Sequence, residues 1–179
     1  NTLAARVHMQ SYPYPDRPTE RLLNDMNRRW RHPIGGPNHV DQVVAQLDPI
    51  VRLADAMIDL HCHEYLYATM GLTNMRDARC RDLAVAAGFE VLNAGDGTEG
   101  MFGRYCREVL GRPALTIEMP PLRRVDRANS AIGFRAVLNV MKRLGMLEGA
   151  LELPRQTRIF GGGGGRSAGV RAEREGYLA

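Results

Sequence analysis

The stretch Ala54-Asp55-Ala56-Met57-Ile58-Asp59-Leu60-His61 decides how this chain folds. The run 56–61 is apolar apart from Asp59 and His61, and it is too short for a typical helix, so it reads as a short buried strand. On a strand, residues two apart share a face, which points Asp59 and His61 the same way. Just before it, from Asn38, the residues Val40, Val43, Val44, Leu47, Ile50, Val51 and Ala54 recur at three and four, the apolar face of a helix with Asn38 as its N-cap. Pro49 lies inside that pattern and is expected to kink the helix or mark a restart, because it lacks the backbone donor.

The same alternation continues downstream. The segment 77–87 reads as a short helix closed by Gly88, 89–92 as a strand, 98–110 as a helix stopped by Gly111, and 114–118 as a third strand broken by Pro120 and Pro121. The longest clean helical pattern is 129–147. Strands separated by helices predict an α/β fold, a mostly parallel or mixed sheet covered by helices, with its ligand site at the carboxyl ends of the strands.

Composition bounds the rest. At 179 residues, 44% hydrophobic and 25% charged, the chain can bury a core, which excludes disorder over most of its length. The formal charge of +4 is mild and divided between the first 37 residues and the part after Leu153, so no nucleic-acid footprint is expected. All the basic residues but Lys142 are Arg, a coding bias as much as a selection for phosphate contacts. No apolar run approaches the roughly 20 residues that span a bilayer, and no secretory signal pattern stands at the start. Cys62, Cys80 and Cys106 form no CxxC pair, which argues against a disulfide framework or a zinc knuckle. A cytoplasmic protein without membrane partners is the expectation.

Three parts are expected: a folded α/β domain over 1–153, a glycine-rich linker over 154–167 containing the five glycines 161–165, and the opening of an incomplete β-rich module over 168–179. The linker is not a phosphate loop. Phe160 stands where the first Gly is required and Arg166 where the Lys is required.

Several residues carry possible chemistry. His61 at a strand end can present a ring nitrogen into a cleft as a metal ligand, with Asp59 as a supporting carboxylate, and Cys62, His63 and Glu64 offer further donors; a polar loop with clustered histidines is the alternative. Asn27 beside Arg28 offers an amide and a planar two-donor fork suited to a small carboxylate, against the alternative of a solvated arginine cluster with Arg29 and Arg31. Glu118 closes an apolar strand, where it either faces a cleft or pairs with an arginine.

Taken in order, Asn1-Thr2-Leu3-Ala4, Asp25-Met26-Asn27-Arg28-Arg29-Trp30 with Gly35-Gly36, the stretch 54–61, Arg112-Pro113-Ala114-Leu115-Thr116-Ile117-Glu118 and 139–147 resemble the succinylglutamate desuccinylase/aspartoacylase family, which has the zinc carboxypeptidase fold. The resemblance runs from Asn1 to about Leu147. It implies a hydrolase with one zinc ion that cleaves an amide bond of an N-acyl amino acid or similar small carboxylate. It further implies that His61 is one of three zinc ligands, that Asn27 and Arg28 hold the substrate carboxylate, helped by Arg17 with Arg21 close behind, and that Glu118 is the general base. The family's His-x-x-Glu ligand pair precedes the motif that Asn1-Thr2 resembles and has no counterpart here, so a fragment truncated at both ends is the expectation.

Two other readings stay open. Ile58-Asp59-Leu60-His61-Cys62-His63 also resembles the His-x-His metal motif of amidohydrolase barrels, using His61 and His63, although such barrels need about 250 residues. A non-catalytic domain binding an acidic partner through its arginine-rich flanks is the third.

Overall fold

A computed structural model of the chain describes residues 25–62, 69–119 and 127–161. The expectations that fall on Arg17, His63, Glu64 and the module over 168–179 lie outside these residues.

In chain order the elements are a 3-10 turn Met26–Arg28, α1 (His39–Val51), β1 (Met57–Cys62), β2 (Met70–Thr73), α2 (Ala78–Ala87), β3 (Val91–Ala94), α3 (Phe102–Glu108), β4 (Ala114–Met119), α4 (Arg127–Arg143) and β5 (Arg158–Gly161). The strands form one sheet in the order β1-β4-β2-β3-β5. β1 and β4, β2 and β3, and β3 and β5 pair in parallel, while β2 and β4 pair antiparallel, so the sheet is mixed. Because β2 opposes β4, the carboxyl ends of β1 and β4 meet at one end of the sheet and those of β2, β3 and β5 at the other. The sheet is open, and an open mixed sheet is not the closed parallel barrel that an amidohydrolase would need.

Two apolar layers follow from strand alternation. Leu115 and Ile117 of β4 face α2 and α4, packing with Leu83, Leu92, Ala136 and Val140. Ala114 of β4 and Met57 of β1 face the other way, into a cluster with Trp30, Val44, Tyr105 and Cys106 under α1 and α3. A strand with both faces covered reads as a continuous apolar run, which is why 114–118 was legible.

Local chemistry sets the helix ends. Asn38 caps α1 by accepting the Asp41 N–H, and Asp77 caps α2 by accepting those of Arg79 and Cys80. Gly88 ends α2 in the left-handed region, φ +79°. No restart occurs at Pro49: α1 runs through it to Val51, since only two residues follow and one backbone bond is lost in the last turn. Strand β3 starts two residues later than its apolar run, since Phe89 is spent on the core. α4 ends at Arg143, leaving Leu144, Met146 and Leu147 exposed.

Two strands were not read from sequence. β2 falls in a stretch without a clear pattern, and β5 falls inside the expected linker, where 158–161 adds to the edge of the sheet beside β3. What returns the chain there is Asn139, fully buried, whose amide accepts the Glu152 N–H at 3.0 Å and donates to the Glu152 carbonyl at 2.9 Å. Among the described residues, no helix is long and apolar enough to cross a membrane.

Candidate active site

Parallel pairing of β1 with β4 sets His61 directly beside Glu118. Residues in register on neighbouring parallel strands share a face, so both side chains leave the sheet on the side of α1 and α3. His61 Nδ1 lies 3.4 Å from Glu118 Oε1, and Nε2 lies 2.9 Å from Oδ2 of Asp59, two residues back on the same face. Burial works against a charged ring here. The hydrogen bonds to Asp59 and Glu118 outweigh it and push the imidazole from its ordinary 6.5 up to about 10.

A second segment closes this corner. Asp25 caps the turn Met26–Arg28, accepting the Asn27 N–H at 2.9 Å. Asn27 Nδ2 then lies 3.3 Å from His61 Nε2, and its Oδ1 accepts the Phe102 N–H at 2.7 Å. Trp30 anchors the segment from beneath: its N–H donates to the Gly100 carbonyl at 3.0 Å, and its ring lies against Phe102 and Tyr105 at 4.8 and 5.5 Å between centroids.

Asp25, Asn27, Trp30, Asp59, His61 and Phe102 border a cavity of about 480 Å³, while Glu118 touches His61 but is not among the cavity's lining residues. Its polar wall is Asp25, Asn27, Asp59 and His61, and its apolar wall includes Trp30, Leu47, Ile50 and Phe102. Convergent polar groups on an otherwise apolar concavity are the usual form of a small-molecule site.

Arg28 stands on the far side of Asn27. Its guanidinium donates to the Asn27 carbonyl at 2.8 Å and lies 3.7 Å from Asp25, and it borders a separate cavity of about 410 Å³ with Arg29, Arg31, Thr98 and Glu99. Arg29 is not a solvated member of a cluster. It grips the buried Asp41 with two bonds of 2.5 and 2.7 Å, which fixes the 25–31 segment on the start of α1.

A zinc ion needs three or more donors converging on one point. Among the described residues no group of three His, Cys, Asp or Glu side chains is arranged to hold a metal, and both nitrogens of His61 lie against carboxylates. The described residues alone do not fit the ion.

Comparison with protein-family models and with curated proteins gave no match. Solved structures did match. A succinylglutamate desuccinylase/aspartoacylase from Rhodobacter sphaeroides is 28% identical with a TM-score of 0.63, over 76% of this chain and 44% of that one. The ectoine utilization protein EutE from Ruegeria pomeroyi is 19% identical with a TM-score of 0.71, over 88% of this chain and 48% of that one. A succinylglutamate desuccinylase from Chromobacterium violaceum is 15% identical with a TM-score of 0.58, over 83% and 51%.

The chain has the succinylglutamate desuccinylase/aspartoacylase fold. It spans about half the length of each of these three structures. Within that fold, the described residues bring Asn27, His61 and Glu118 to one corner with Asp59, while Arg28 is adjacent but turned to the neighbouring cavity. Sequence reasoning missed three contributors: Trp30 and Phe102, which wall the cavity, and Gly100, which holds Trp30. None lies near His61 in sequence, and the Asn27–Phe102 bond spans 75 residues, so no local pattern could have announced them. It also missed the support of α1, where Tyr105 donates its hydroxyl to the buried Asp48, and Arg52 donates to the Tyr105 oxygen at 2.8 Å and to Asp48 at 2.7 Å.

Proposed function

We propose that this chain carries part of the site of a deacylase-type hydrolase that cleaves the amide bond of an N-acyl amino acid or a similar small carboxylate. The observation that carries the reading is the β1–β4 register, which sets the imidazole of His61, a residue lining the cavity, 3.4 Å from the carboxylate of Glu118. In this reading Glu118 is the general base. Water attacks the acyl carbonyl carbon, Glu118 takes one of the water's protons, and that proton passes to the amide nitrogen as the C–N bond breaks; the second water proton ends on the departing amine as well, releasing a carboxylate and an ammonium. The Asn27 amide donates to a substrate oxygen. A substrate that spans Asn27 sets its amide beside His61 and Glu118 and its carboxylate beside Arg28, with Arg17 assisting as the family resemblance implies.

Zinc dependence belongs to the same proposal, with His61 as one ligand and the others drawn from polypeptide outside the described residues. No step is derived through the ion, because the described residues do not make a site for it. The desuccinylase names of the matching structures support the reaction class.

The test is hydrolysis by the full-length protein, with and without added zinc, of an N-acyl amino acid and of its carboxamide analogue. The expected result is zinc-dependent turnover that favours the free carboxylate, with Arg28→Ala removing that preference and Arg28→Lys failing to restore it, since a two-bond fork is lost although the charge stays. Removing such a charged contact costs about 2–5 kcal/mol of binding. Turnover without preference for the carboxylate would discard the amino-acid substrate class, and stoichiometric zinc held by His61→Ala would discard the ligand assignment. A protein that binds acidic partners through its arginines without hydrolysing any such amide would be the non-catalytic domain instead.

A further inference from the structure

The first amide of α3 has an unusual acceptor. α3 opens at Phe102, and its N-cap residue, Met101, makes no side-chain hydrogen bond to the helix. Early helix amides have no partner within the helix and need one from elsewhere. Here the acceptor is Asn27 Oδ1, 75 residues earlier in the chain, at 2.7 Å.

That bond decides how the Asn27 amide is turned. With its oxygen committed to Phe102, its NH2 faces His61, 3.3 Å from Nε2. Asp59 Oδ2 lies nearer to the same ring nitrogen, at 2.9 Å, so the ring's hydrogen bond goes to the carboxylate and the Asn27 NH2 stays available to an acceptor in the cavity it borders. An Asn side chain left to itself can present either end of its amide. This one is held from three sides: by Phe102, by the Asp25 carboxylate on its own N–H at 2.9 Å, and by the Trp30 to Gly100 bond two residues before Phe102.

We infer that the first backbone amide of α3 is a positioning group for Asn27: it takes the side chain's acceptor, so that Asn27 gives the cavity beside His61 a donor and no acceptor. This deepens the deacylase reading and rests on it for its chemistry. At this point the site takes an oxygen, from a carboxylate or an acyl carbonyl, and turns away a ligand that presents an ammonium or amide N–H there.

Amide hydrogen exchange tests the positioning without any turnover. Asn27→Ala removes the acceptor and should speed exchange at Phe102 about tenfold or more, whereas Asn27→Asp keeps an oxygen in place and should hold it within about twofold of the parent. Asn27→Asp also replaces the donor by a carboxylate, so in the full-length protein hydrolysing N-acetyl-L-aspartate it should lose about 100-fold in kcat/KM while Phe102 stays protected. Exchange at Phe102 that is indifferent to Asn27→Ala overturns the inference. Parental kcat/KM in Asn27→Asp overturns it too, since a residue that merely caps α3 is rescued by Asp. Failure of the parent to hydrolyse any N-acyl amino acid counts against the deacylase reading instead, and the exchange result still decides the positioning.

Discussion

Replacing Gly100 with Ala should detach the Asp25–Trp30 segment from the candidate site while leaving the sheet folded. Gly100 sits at φ +87°, where an L side chain is strained by about 1–2 kcal/mol, and an added Cβ would stand 2.3 Å from the Arg28 carbonyl oxygen, a distance no relaxation of side chains can relieve. The backbone of one partner must move. Moving it breaks the Trp30 to Gly100 hydrogen bond, worth about 1 kcal/mol, and partly uncovers Trp30, which is 5% exposed, for about 1–2 kcal/mol more. The total is about 3–5 kcal/mol. Gly111 supplies the control, since it also has positive φ, +64°, but an added Cβ there meets nothing within 4 Å. Gly111→Ala should therefore cost only the backbone strain. Trp30 is the chain's single tryptophan, so its fluorescence reports this segment alone. Expected are a red-shifted, more quenchable emission in Gly100→Ala and parental emission in Gly111→Ala, with urea midpoints ordered accordingly. Equal stability losses in the two variants, or an unshifted emission in Gly100→Ala, would refute the argument that Gly100 admits the Arg28 backbone.

Arg29→Ala should destabilise the chain by about 3–5 kcal/mol in urea denaturation, because it strands the carboxylate of Asp41, which is 3% exposed, and Arg29→Lys should recover only part of that. His61 should titrate near pH 10 by NMR. A raised folded-state pKa favours the protonated form, so its contribution to stability is full below about pH 6.5 and is lost as pH rises through about 10; a profile across that window that Asp59→Asn leaves unchanged would contradict the pairing. Glu118→Gln in the full-length protein should lower turnover by about 10²–10⁴ with little change in KM, and an undiminished rate would remove Glu118 as the base.

Reading the chain without coordinates was enough wherever a residue's role is set by its neighbours in sequence. The apolar run 114–118 needed no partner to be recognised as a strand, and Asn38 and Gly88 declared helix ends because a cap is satisfied within a few residues. The same locality put Asp59 and His61 on one face, through the two-residue period of a strand. β2 and β5 were not legible, since four-residue strands, one of them starting at Arg158 and exposed throughout, gain their identity from the strand alongside and not from their own composition. Tertiary structure alone decided the site. The register that pairs His61 with Glu118 joins residues 57 positions apart, the Asn27 amide is oriented by a helix start that its own segment cannot reveal, and Arg28 is turned away from the His61 cavity by the same turn that brings Asn27 into it. Such contacts are chosen by which surfaces the core brings together, and their short-range order leaves no trace in the local sequence.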